Sequence, residues 1–264
     1  MEYGSILFDV RGHVAWITLN RPDRLNAFDQ ATMAELRHAL RRVALDRSVG
    51  VVVLTGAGDK AFCAGGDLNE MKDFNSDKAR RVFGGTYETL SLMRQIPQPI
   101  IAAVNGLAMG GGNELLVCSD LAIASEHARF GEPTPRVGAA AVFGPTNLGS
   151  IQMGEKRARE VIYLGRQYSA EEALRMGWIN KVVCQSELLP ETERWCVEIL
   201  QRSPAALELC KVSSNVWWDM LAPSMAQAYQ TLLRLADGEE MREGVNAFLG
   251  KRSPDYARFR RRAD

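Results

Sequence analysis

The segment from Gly50 to Gly56, GVVVLTG, is a short, continuous apolar run that ends at a glycine. A run of this length without polar alternation is typical of a strand buried on both faces. Residues 100–104 and 121–124 have the same character, and residues 14–20 (VAWITLN) carry β-branched and aromatic side chains in near alternation. Strands buried on both faces must be covered by helices, so these segments predict an α/β domain.

Helical patterns lie between and after these strands. Asp29 is placed to cap a helix whose apolar residues fall at helical spacing (Met33, Leu36, Leu40 and Val43). Ser169 and Gly177 are placed to begin and end a second helix, AEEALRM. The last part of the chain is mostly helical in pattern. We therefore predict a core domain at residues 1–200 and a helical C-terminal region at residues 201–264, which packs either on that core or on a neighbouring subunit.

Composition and charge exclude several classes of function. Lysine plus arginine and aspartate plus glutamate each total 32, so the formal net charge is zero and no broad basic field favours nucleic acid. The chain has no apolar run near the roughly 18 residues of a membrane span, and its start shows no signal-peptide pattern. Five widely spaced cysteines and three histidines fit no disulfide framework and no metal-ligand spacing. We expect a cytoplasmic protein with reduced thiols, no bound metal, and neither nucleic acid nor membrane as a partner.

Two glycine-rich loops follow predicted strands. KAFCAGGDL occupies residues 60–68, and NGLAMGGGNE occupies residues 105–114, with a helical pattern directly after it. Glycine has no Cβ, so backbone N–H groups can approach a ligand closely, and the first N–H groups of a helix have no partner within the helix. Either loop alone could be a simple tight turn. Together they predict one crevice lined by backbone donors.

Six segments along the chain match one family in the family's own order: RPDRLNAF, KAFCAGGDL, AAVNGLAMGGGNE, CSDLAIASEHARFGEP, SAEEALRMGWINKVV and EGVNAFLGKRSPDY. On these segments the sequence resembles the crotonase (enoyl-CoA hydratase/isomerase) superfamily over essentially its whole length. The resemblance implies a crotonase-like spiral of ββα units with a helical C-terminal trimerisation region, and a homo-oligomer that is a trimer or a hexamer. It also implies an acyl-CoA thioester substrate, with coenzyme A as part of that substrate and no tightly bound cofactor.

The resemblance implies that the backbone N–H groups of Ala64 and Gly111 form an oxyanion hole. It implies that Glu114 is a general acid/base, because the family's hydratases carry a glutamate there and a second one in a segment like FGQPE. That segment reads FGEPT here, so the second position holds Thr134, which cannot act as a base at neutral pH. Glu132 lies two residues earlier, on the same side of an extended segment, and could substitute. The alternative interpretation of Glu132 is a solvated or structural carboxylate.

Two further segments, MGEKRARE at residues 153–160 and GRQYS at residues 165–169, are similar to dihydroxynaphthoyl-CoA synthase and 2-ketocyclohexanecarboxyl-CoA hydrolase. That branch closes or opens rings on a CoA thioester. Its members usually lack a glutamate at the position of Glu114 and carry an aspartate where this chain has Ala141, in the apolar loop GAAAVFG at residues 138–144. This apolar loop either lines a pocket for a hydrophobic or cyclic acyl group or packs in the core.

The coenzyme A contacts of the family map onto Arg24 and Ala27, onto the first glycine loop, and onto Phe248 and Lys251 from a neighbouring subunit. In the loop, the residues that the resemblance implies are Lys60, Ala61, Ala64, Gly65, Asp67 and Leu68. The other basic residues of the C-terminal tail could meet CoA phosphates or could simply be solvated: Arg252, Arg258 and Arg260–Arg262.

The function expected from these features is hydration or dehydration of an enoyl-CoA, with Glu114 as the general acid/base. A carboxylate that only balances the helix dipole is the alternative for this residue. Isomerisation, ring-opening hydrolysis of a cyclic β-ketoacyl-CoA and ring-closing synthesis remain open within the superfamily. A catalytically altered CoA-binding scaffold is the alternative outside enzymes. A dinucleotide-binding dehydrogenase is excluded, because no helical pattern follows the G-x-G-x-x-A match at residues 56–61.

Overall fold

The computed structural model describes residues 2–260, which contain two sheets surrounded by helices. Within this range the strands are β1 (Ile6–Arg11), β2 (Val14–Leu19), β3 (Val51–Gly56), β4 (Ala61–Cys63), β5 (Ile100–Val104), β6 (Leu107–Met109), β7 (Leu121–Ser125), β8 (Arg129–Gly131), β9 (Tyr168–Ser169) and β10 (Lys181–Val183). The α-helices are α1 (Gln30–Leu45), α2 (Leu68–Met71), α3 (Ser76–Gln95), α4 (Gly111–Cys118), α5 (Leu148–Met153), α6 (Glu155–Leu164), α7 (Ala170–Met176), α8 (Leu188–Leu200), α9 (Pro204–Ser214), α10 (Val216–Ala236) and α11 (Glu239–Leu249). Short 3-10 turns lie at Pro22–Arg24, Thr134–Val137, Gln185–Glu187 and Ala257–Phe259.

From β3 to β8 the strands alternate between two sheets along the chain. The larger sheet has the order β1-β2-β3-β5-β7-β10, and the smaller sheet has the order β4-β6-β8-β9. Each of β3, β5 and β7 enters the larger sheet, and the strand that follows it enters the smaller one. Helices then lead to the next pair of strands. This arrangement confirms the predicted α/β fold of ββα units.

The strands β4, β6 and β8 are not predicted from the sequence, because three residues carry no readable periodicity. Their pairing positions the two glycine loops. β4 runs parallel to β6, with Ala61 opposite Leu107 and Cys63 opposite Ala108. The loops therefore leave adjacent parallel strands at the same edge of the smaller sheet. The strand at Ala61–Cys63 also agrees with the exclusion of a dinucleotide-binding motif, which requires a helix at this point.

The centre of the larger sheet is buried on both faces, as the apolar run there predicts. All six residues of β3 are buried. Val52 and Leu54 belong to the main core, which α1 and α3 cover. Val51 and Val53 face the other way and pack with buried residues of α8 such as Leu188. Because helices cover both faces, every apolar side chain of this strand is removed from water.

The ends of the predicted helices lie where their capping residues indicate. The Asp29 side chain accepts a hydrogen bond from the backbone N–H of Thr32 at the start of α1. Ser169 and Glu172 form a reciprocal capping box at the start of α7. Gly177 ends that helix in the left-handed conformation, with φ of 81°. Both predicted helices are therefore confirmed.

The C-terminal helices pack on their own chain. Lys211 of α9 is buried and donates to the carbonyl oxygens of Met93 (3.0 Å) and Gln98 (2.8 Å) at the end of α3. Tyr229 of α10 stacks on Tyr87 of α3, with ring centroids 6.2 Å apart. The division at residue 200 and assembly into a trimer or hexamer stay predictions.

In residues 2–260, no helix combines the length and the apolar character that crossing a membrane requires.

Candidate active site

A cleft with a volume of about 830 Å³ lies where the two glycine loops meet. Its walls come from the first and second glycine loops, from the turn Thr134–Val137 and the apolar loop after it, from α3, and from the C-terminal helices. The residues that matter for the chemistry below are Arg24, Ala27, Phe28, Ala64, Gly65, Gly66, Asp67, Leu68, Gly110, Gly111, Glu114, Thr134, Ala139, Ala140, Phe143, Leu232, Phe248 and Leu249. The predicted crevice between the two loops is thus present.

The glycines are needed because the two loops touch backbone to backbone. Gly65 has φ of 103°, and a Cβ there would lie 2.9 Å from the carbonyl oxygen of Met109 and 3.1 Å from the backbone nitrogen of Gly111. A Cβ on Gly112 would collide with the carbonyl oxygen of Cys63. A side chain at either position would force the loops apart.

The backbone N–H of Ala64 is not available as an oxyanion donor, so this prediction is wrong. That N–H donates to the carbonyl oxygen of Leu25 at 3.0 Å. The positive φ of Gly65 turns the chain, and the N–H that follows this turn, that of Gly66, lies beside the second loop. A Cβ on Gly111 would be only 3.4 Å from the nitrogen of Gly66.

Gly66 and Gly111 are therefore the pair of donors that the structure brings together. Within residues 2–260, the backbone hydrogen bonds of turns, loops and helix caps do not use the N–H of either glycine. Gly111 begins α4, so its N–H also has no acceptor inside the helix. The N–H of Gly111 therefore lies on the cleft beside the N–H of Gly66. Its role as an oxyanion donor stays a prediction.

Glu114 lies on the first turn of α4 and lines the cleft with only 7% of its surface exposed. Its Oε1 accepts a hydrogen bond from the backbone N–H of Phe143 at 3.4 Å. Burial raises the pKa of this carboxyl well above its usual range, and the nearby charge of Glu132 raises it further. Burial favours the neutral form of this carboxyl, which can deliver its proton to a substrate.

Glu132 is fully buried, so the interpretation as a solvated carboxylate is wrong. Its Oε2 accepts a hydrogen bond from Nδ2 of Asn113 at 2.9 Å, and its Oε1 accepts one from the Thr134 hydroxyl at 3.0 Å. The indole N–H of Trp178 donates to Oδ1 of Asn113 at 2.9 Å. Burial raises the pKa of Glu132 from 4.5 to about 7, although the bonds from Asn113 and Thr134 oppose this change.

Glu132→Gln is expected to raise the free energy of unfolding at pH 8 by about 3 kcal/mol, since each pKa unit corresponds to about 1.4 kcal/mol. Between about pH 4.5 and 7 the folded protein keeps a proton that the unfolded chain has lost, so wild-type stability falls as the pH rises through this window. A glutamine can accept from Asn113 and donate to Thr134, and it has no proton to lose.

Urea unfolding at pH 4 and pH 8 measures this effect. The expected gain is present at pH 8 and small at pH 4. The exposed Glu198, replaced by Gln, serves as the control and should give no such difference. Parallel stability curves for wild type and Glu132→Gln would contradict the raised pKa.

Sequence reasoning missed Gly66, Asn113 and Trp178. The glycine pair at residues 65 and 66 is the only sequence signal for Gly66. No local signal links Asn113 to Trp178, because 65 residues separate them along the chain.

The apolar loop at residues 138–144 satisfies both interpretations that the sequence allows. Ala139, Ala140 and Phe143 line the cleft. Ala141 and Val142 are 1% and 6% exposed and belong to the protein core. The cleft wall beside Glu114 is therefore apolar.

The residues expected to contact coenzyme A divide into two groups. Those that line the cleft are Arg24, Ala27, Ala64, Gly65, Asp67, Leu68 and Phe248. Arg24 is half exposed, and its guanidinium pairs with Asp67 at 2.9 Å. Ala61 instead is buried inside β4, and the carbonyl of Lys60 accepts from the backbone N–H of Leu107 at 3.0 Å. Neither lies among the lining residues, and neither does the exposed Lys251.

Phe248 lines the cleft of its own chain, whereas the prediction assigned it to a neighbouring subunit. The reason is the packing of α11 on the turn Thr134–Val137. A Cβ on Gly244 would collide with the backbone of Val137, so this contact is as close as two backbones allow. In the tail, Arg252 pairs with Glu243 at 2.6 Å and is not among the residues that line the cleft. Arg258 lies 3.6 Å from the same carboxylate, and Arg261 and Arg262 lie outside the described residues.

Comparison with known proteins places this cleft in a family. Residues 9–259 match the family model described as enoyl-CoA hydratase/isomerase. A solved structure of an enoyl-CoA hydratase from Bacillus anthracis is 33% identical, with a TM-score of 0.79, and the match covers 96% of this chain and 99% of that one. A structure of an enoyl-CoA hydratase/isomerase from Xanthobacter autotrophicus Py2 is 30% identical, with a TM-score of 0.87 and coverage of 98% and 100%.

A third structure, an enoyl-CoA hydratase/isomerase from Mycobacterium paratuberculosis, is 28% identical with a TM-score of 0.87, and the match covers 93% of this chain and 99% of that one. The family model spans nearly the whole chain, and it includes both glycine loops, Glu114 and the C-terminal helices. The chain therefore belongs to the enoyl-CoA hydratase/isomerase family.

Proposed function

We propose that the protein is a hydratase or dehydratase of enoyl-CoA thioesters and that its substrate carries a hydrophobic or cyclic acyl group. The observation that carries the proposal is the meeting of three groups on one cleft. Two are the backbone N–H groups of Gly66 and Gly111, and the third is the buried carboxyl of Glu114. Membership of the family supports the same class of reaction.

The chemistry follows from where negative charge develops. Addition of water across the double bond places charge on the thioester oxygen, and the N–H dipoles of Gly66 and Gly111 stabilise it there. Glu114, whose pKa is raised by burial, gives its proton to the α-carbon while the oxygen of water bonds to the β-carbon. Dehydration is the reverse of these steps.

The walls of the cleft favour a bulky apolar acyl group. Ala139, Ala140 and Phe143 line it, and so do Phe83 of α3 and Leu232 of α10. The backbone N–H of Phe143 contacts Glu114 directly. We place the coenzyme A moiety on the first glycine loop, with Arg24 as a phosphate contact and with Phe248 of the same chain.

Ring-opening hydrolysis of a cyclic β-ketoacyl-CoA is the second candidate. It draws support from Thr134, which leaves Glu114 without a second glutamate beside it on the lining of the cleft, and from the apolar wall, which suits a ring. Ring-closing synthesis would use the same features. A CoA-binding scaffold would bind the thioester without turnover.

Incubation with a panel of linear and cyclic enoyl-CoA and β-ketoacyl-CoA thioesters, followed by mass spectrometry, distinguishes these functions. The proposal expects a mass gain of one water on an enoyl-CoA, with the highest kcat/KM for a bulky apolar acyl group. Water gain only on a cyclic β-ketoacyl-CoA would favour the hydrolase. Binding without any product would identify a scaffold.

Ala140→Leu tests the position of the acyl group. The larger side chain narrows the cleft. We therefore expect kcat/KM for a bulky cyclic substrate to fall by about 10-fold or more, while kcat/KM for crotonyl-CoA stays close to the wild-type value. Ala140→Gly is the matched control and should not lower either value. Equal losses on both substrates would show that Ala140 does not contact the acyl group.

We also propose that the protein forms a homo-oligomer, a trimer or a hexamer. Large apolar side chains of α9 and α10 are more than half exposed, among them Leu209, Val212 and Met220. Such a surface is typical of a subunit contact. Light scattering of the purified protein measures the assembly directly.

A further inference from the structure

Thr134 stands between the cleft and a buried carboxylate. Thr134 is part of the lining of the cleft, whereas Glu132 has no exposed surface. The Thr134 hydroxyl donates its hydrogen to Oε1 of Glu132 at 3.0 Å. Since that hydrogen is committed to Glu132, the lone pairs of the hydroxyl oxygen remain free to accept a hydrogen bond.

We propose that Thr134 passes a proton from the attacking water to Glu132, so that a threonine and a buried carboxylate together replace a second carboxylate in the cleft. This inference rests on the proposed hydratase function and assigns the base half of that reaction. Glu114 supplies the acid half.

In this step each proton that leaves one group is taken up by another. One O–H bond of water breaks, its proton moves to Oγ1 of Thr134, and the hydroxyl proton of Thr134 moves to Oε1 of Glu132. The water oxygen forms its bond to the β-carbon, and Glu114 gives its own proton to the α-carbon. After one turnover Glu132 is protonated and Glu114 is ionised. Exchange with solvent after product release returns both to their starting states.

Two other residues hold Glu132 in the position that this step needs. The indole N–H of Trp178 donates to Oδ1 of Asn113, which fixes the orientation of the amide. The NH₂ group of Asn113 must then face Oε2 of Glu132, at 2.9 Å. This leaves Oε1 for Thr134. Asn113 and Trp178 are positioning residues in this scheme, and so is Glu132, which acts through Thr134.

The electrostatic surroundings agree with a division of roles between the two carboxyls. The charged group that faces Glu132 from α4 is Glu114, and Asn113 and Thr134 are its neutral hydrogen-bond partners. Burial raises the pKa of both carboxyls, and the hydrogen bonds from Asn113 and Thr134 oppose this change at Glu132, where the pKa is about 7. Two acids whose environments separate their pKa values are suited to opposite roles in proton transfer.

The kinetic test compares Thr134→Val, which has the shape of threonine but no hydroxyl, with Thr134→Ser, which keeps the hydroxyl. Thr134→Val should lower kcat by about 100-fold or more, as loss of a general base does, and Thr134→Ser should restore most of the rate. In Glu132→Gln the amide donates to Thr134 and reverses its hydroxyl, so kcat should fall by a similar factor.

The pH dependence of kcat/KM would not change in the variants if Glu132 and Thr134 had only a structural role. In wild type, kcat/KM should rise with pH through about pH 7, as Glu132 becomes ionised. Glu132→Gln and Thr134→Val should lose this rise, and Thr134→Ser should keep it. A Thr134→Val enzyme that retains more than a tenth of the wild-type kcat and the same rise would overturn the relay.

Infrared difference spectra of the free enzyme report on Glu132 without any substrate. A protonated carboxyl band should disappear as the pH rises through about 7, should be absent in Glu132→Gln and should shift in Thr134→Val but not in Thr134→Ser. An unchanged band in Thr134→Val would overturn the contact between the two residues.

The relay and the proposed function can fail separately. Hydration that is lost in Glu114→Gln but unaffected in Thr134→Val and Glu132→Gln would overturn the relay and leave the hydratase standing. Absence of hydration by the wild-type enzyme over the whole substrate panel would overturn the proposed function, and the relay with it.

Discussion

Glu114→Gln is expected to lower kcat by about 10²–10⁴, the usual range for loss of a general acid or base. The substitution keeps the size of the side chain and the hydrogen bond from the backbone N–H of Phe143, but it removes the acidic proton. Glu114 is the carboxyl of the cleft that lies closest in sequence to the donor Gly111, on the first turn of the same helix. Steady-state kinetics on the best substrate of the panel gives the measurement.

The loss should occur without loss of folding or of coenzyme A binding. Circular dichroism and titration with free coenzyme A check these two points, and the exposed Glu198, replaced by Gln, gives the matched control. Stability at neutral pH should not fall, because burial disfavours the ionised form of Glu114. A Glu114→Gln enzyme with more than a tenth of the wild-type kcat would remove this residue from the mechanism.

Gly66→Pro is expected to lower kcat by about 10²–10³, because proline has no N–H and one oxyanion donor is then lost. Gly66→Ala is the matched control. It keeps the N–H, and its Cβ would meet only the flexible methyl end of Met71, at 2.5 Å. The alanine variant should retain most of its activity.

The contrast between proline and alanine separates the donor from the shape of the loop. Kinetics must be accompanied by circular dichroism and by binding of the product, which show that the loop keeps its structure. A folded Gly66→Pro enzyme with wild-type kcat would contradict the role of this N–H. The assignment to Gly66 would then have to be abandoned.

Residues that act through local patterns were predictable. The apolar run of β3, the capping side chains Asp29 and Ser169, and the glycine that ends α7 all depend on neighbours within a few positions. Burial on both faces requires an unbroken apolar run, and a helix end requires a partner for its free N–H or C=O groups. Residues that are neighbours in the sequence therefore reveal both features.

Backbone direction and distant contacts were not predictable. Glycine permits either sign of φ, so the sequence AGGD does not decide whether Ala64 or Gly66 presents its N–H to the cleft. The apolar face of α11 shows that it packs on something, but it does not show whether the partner is its own chain or another copy. The state of Glu132 depends on Trp178 through Asn113, a contact that only the folded chain forms.

The position of α11 has a consequence for the order in which the site is made during synthesis. The cleft takes residues from both ends of the chain, from Arg24 near the start to Phe248 and Leu249 on α11. The N-terminal part of a nascent chain leaves the ribosome first, and the chain folds as it is made. The glycine loops and the carboxyls therefore leave the ribosome well before the helix that completes their wall. Until that helix arrives the cleft is open to water, so the reactive centre becomes enclosed only after α11 has been made.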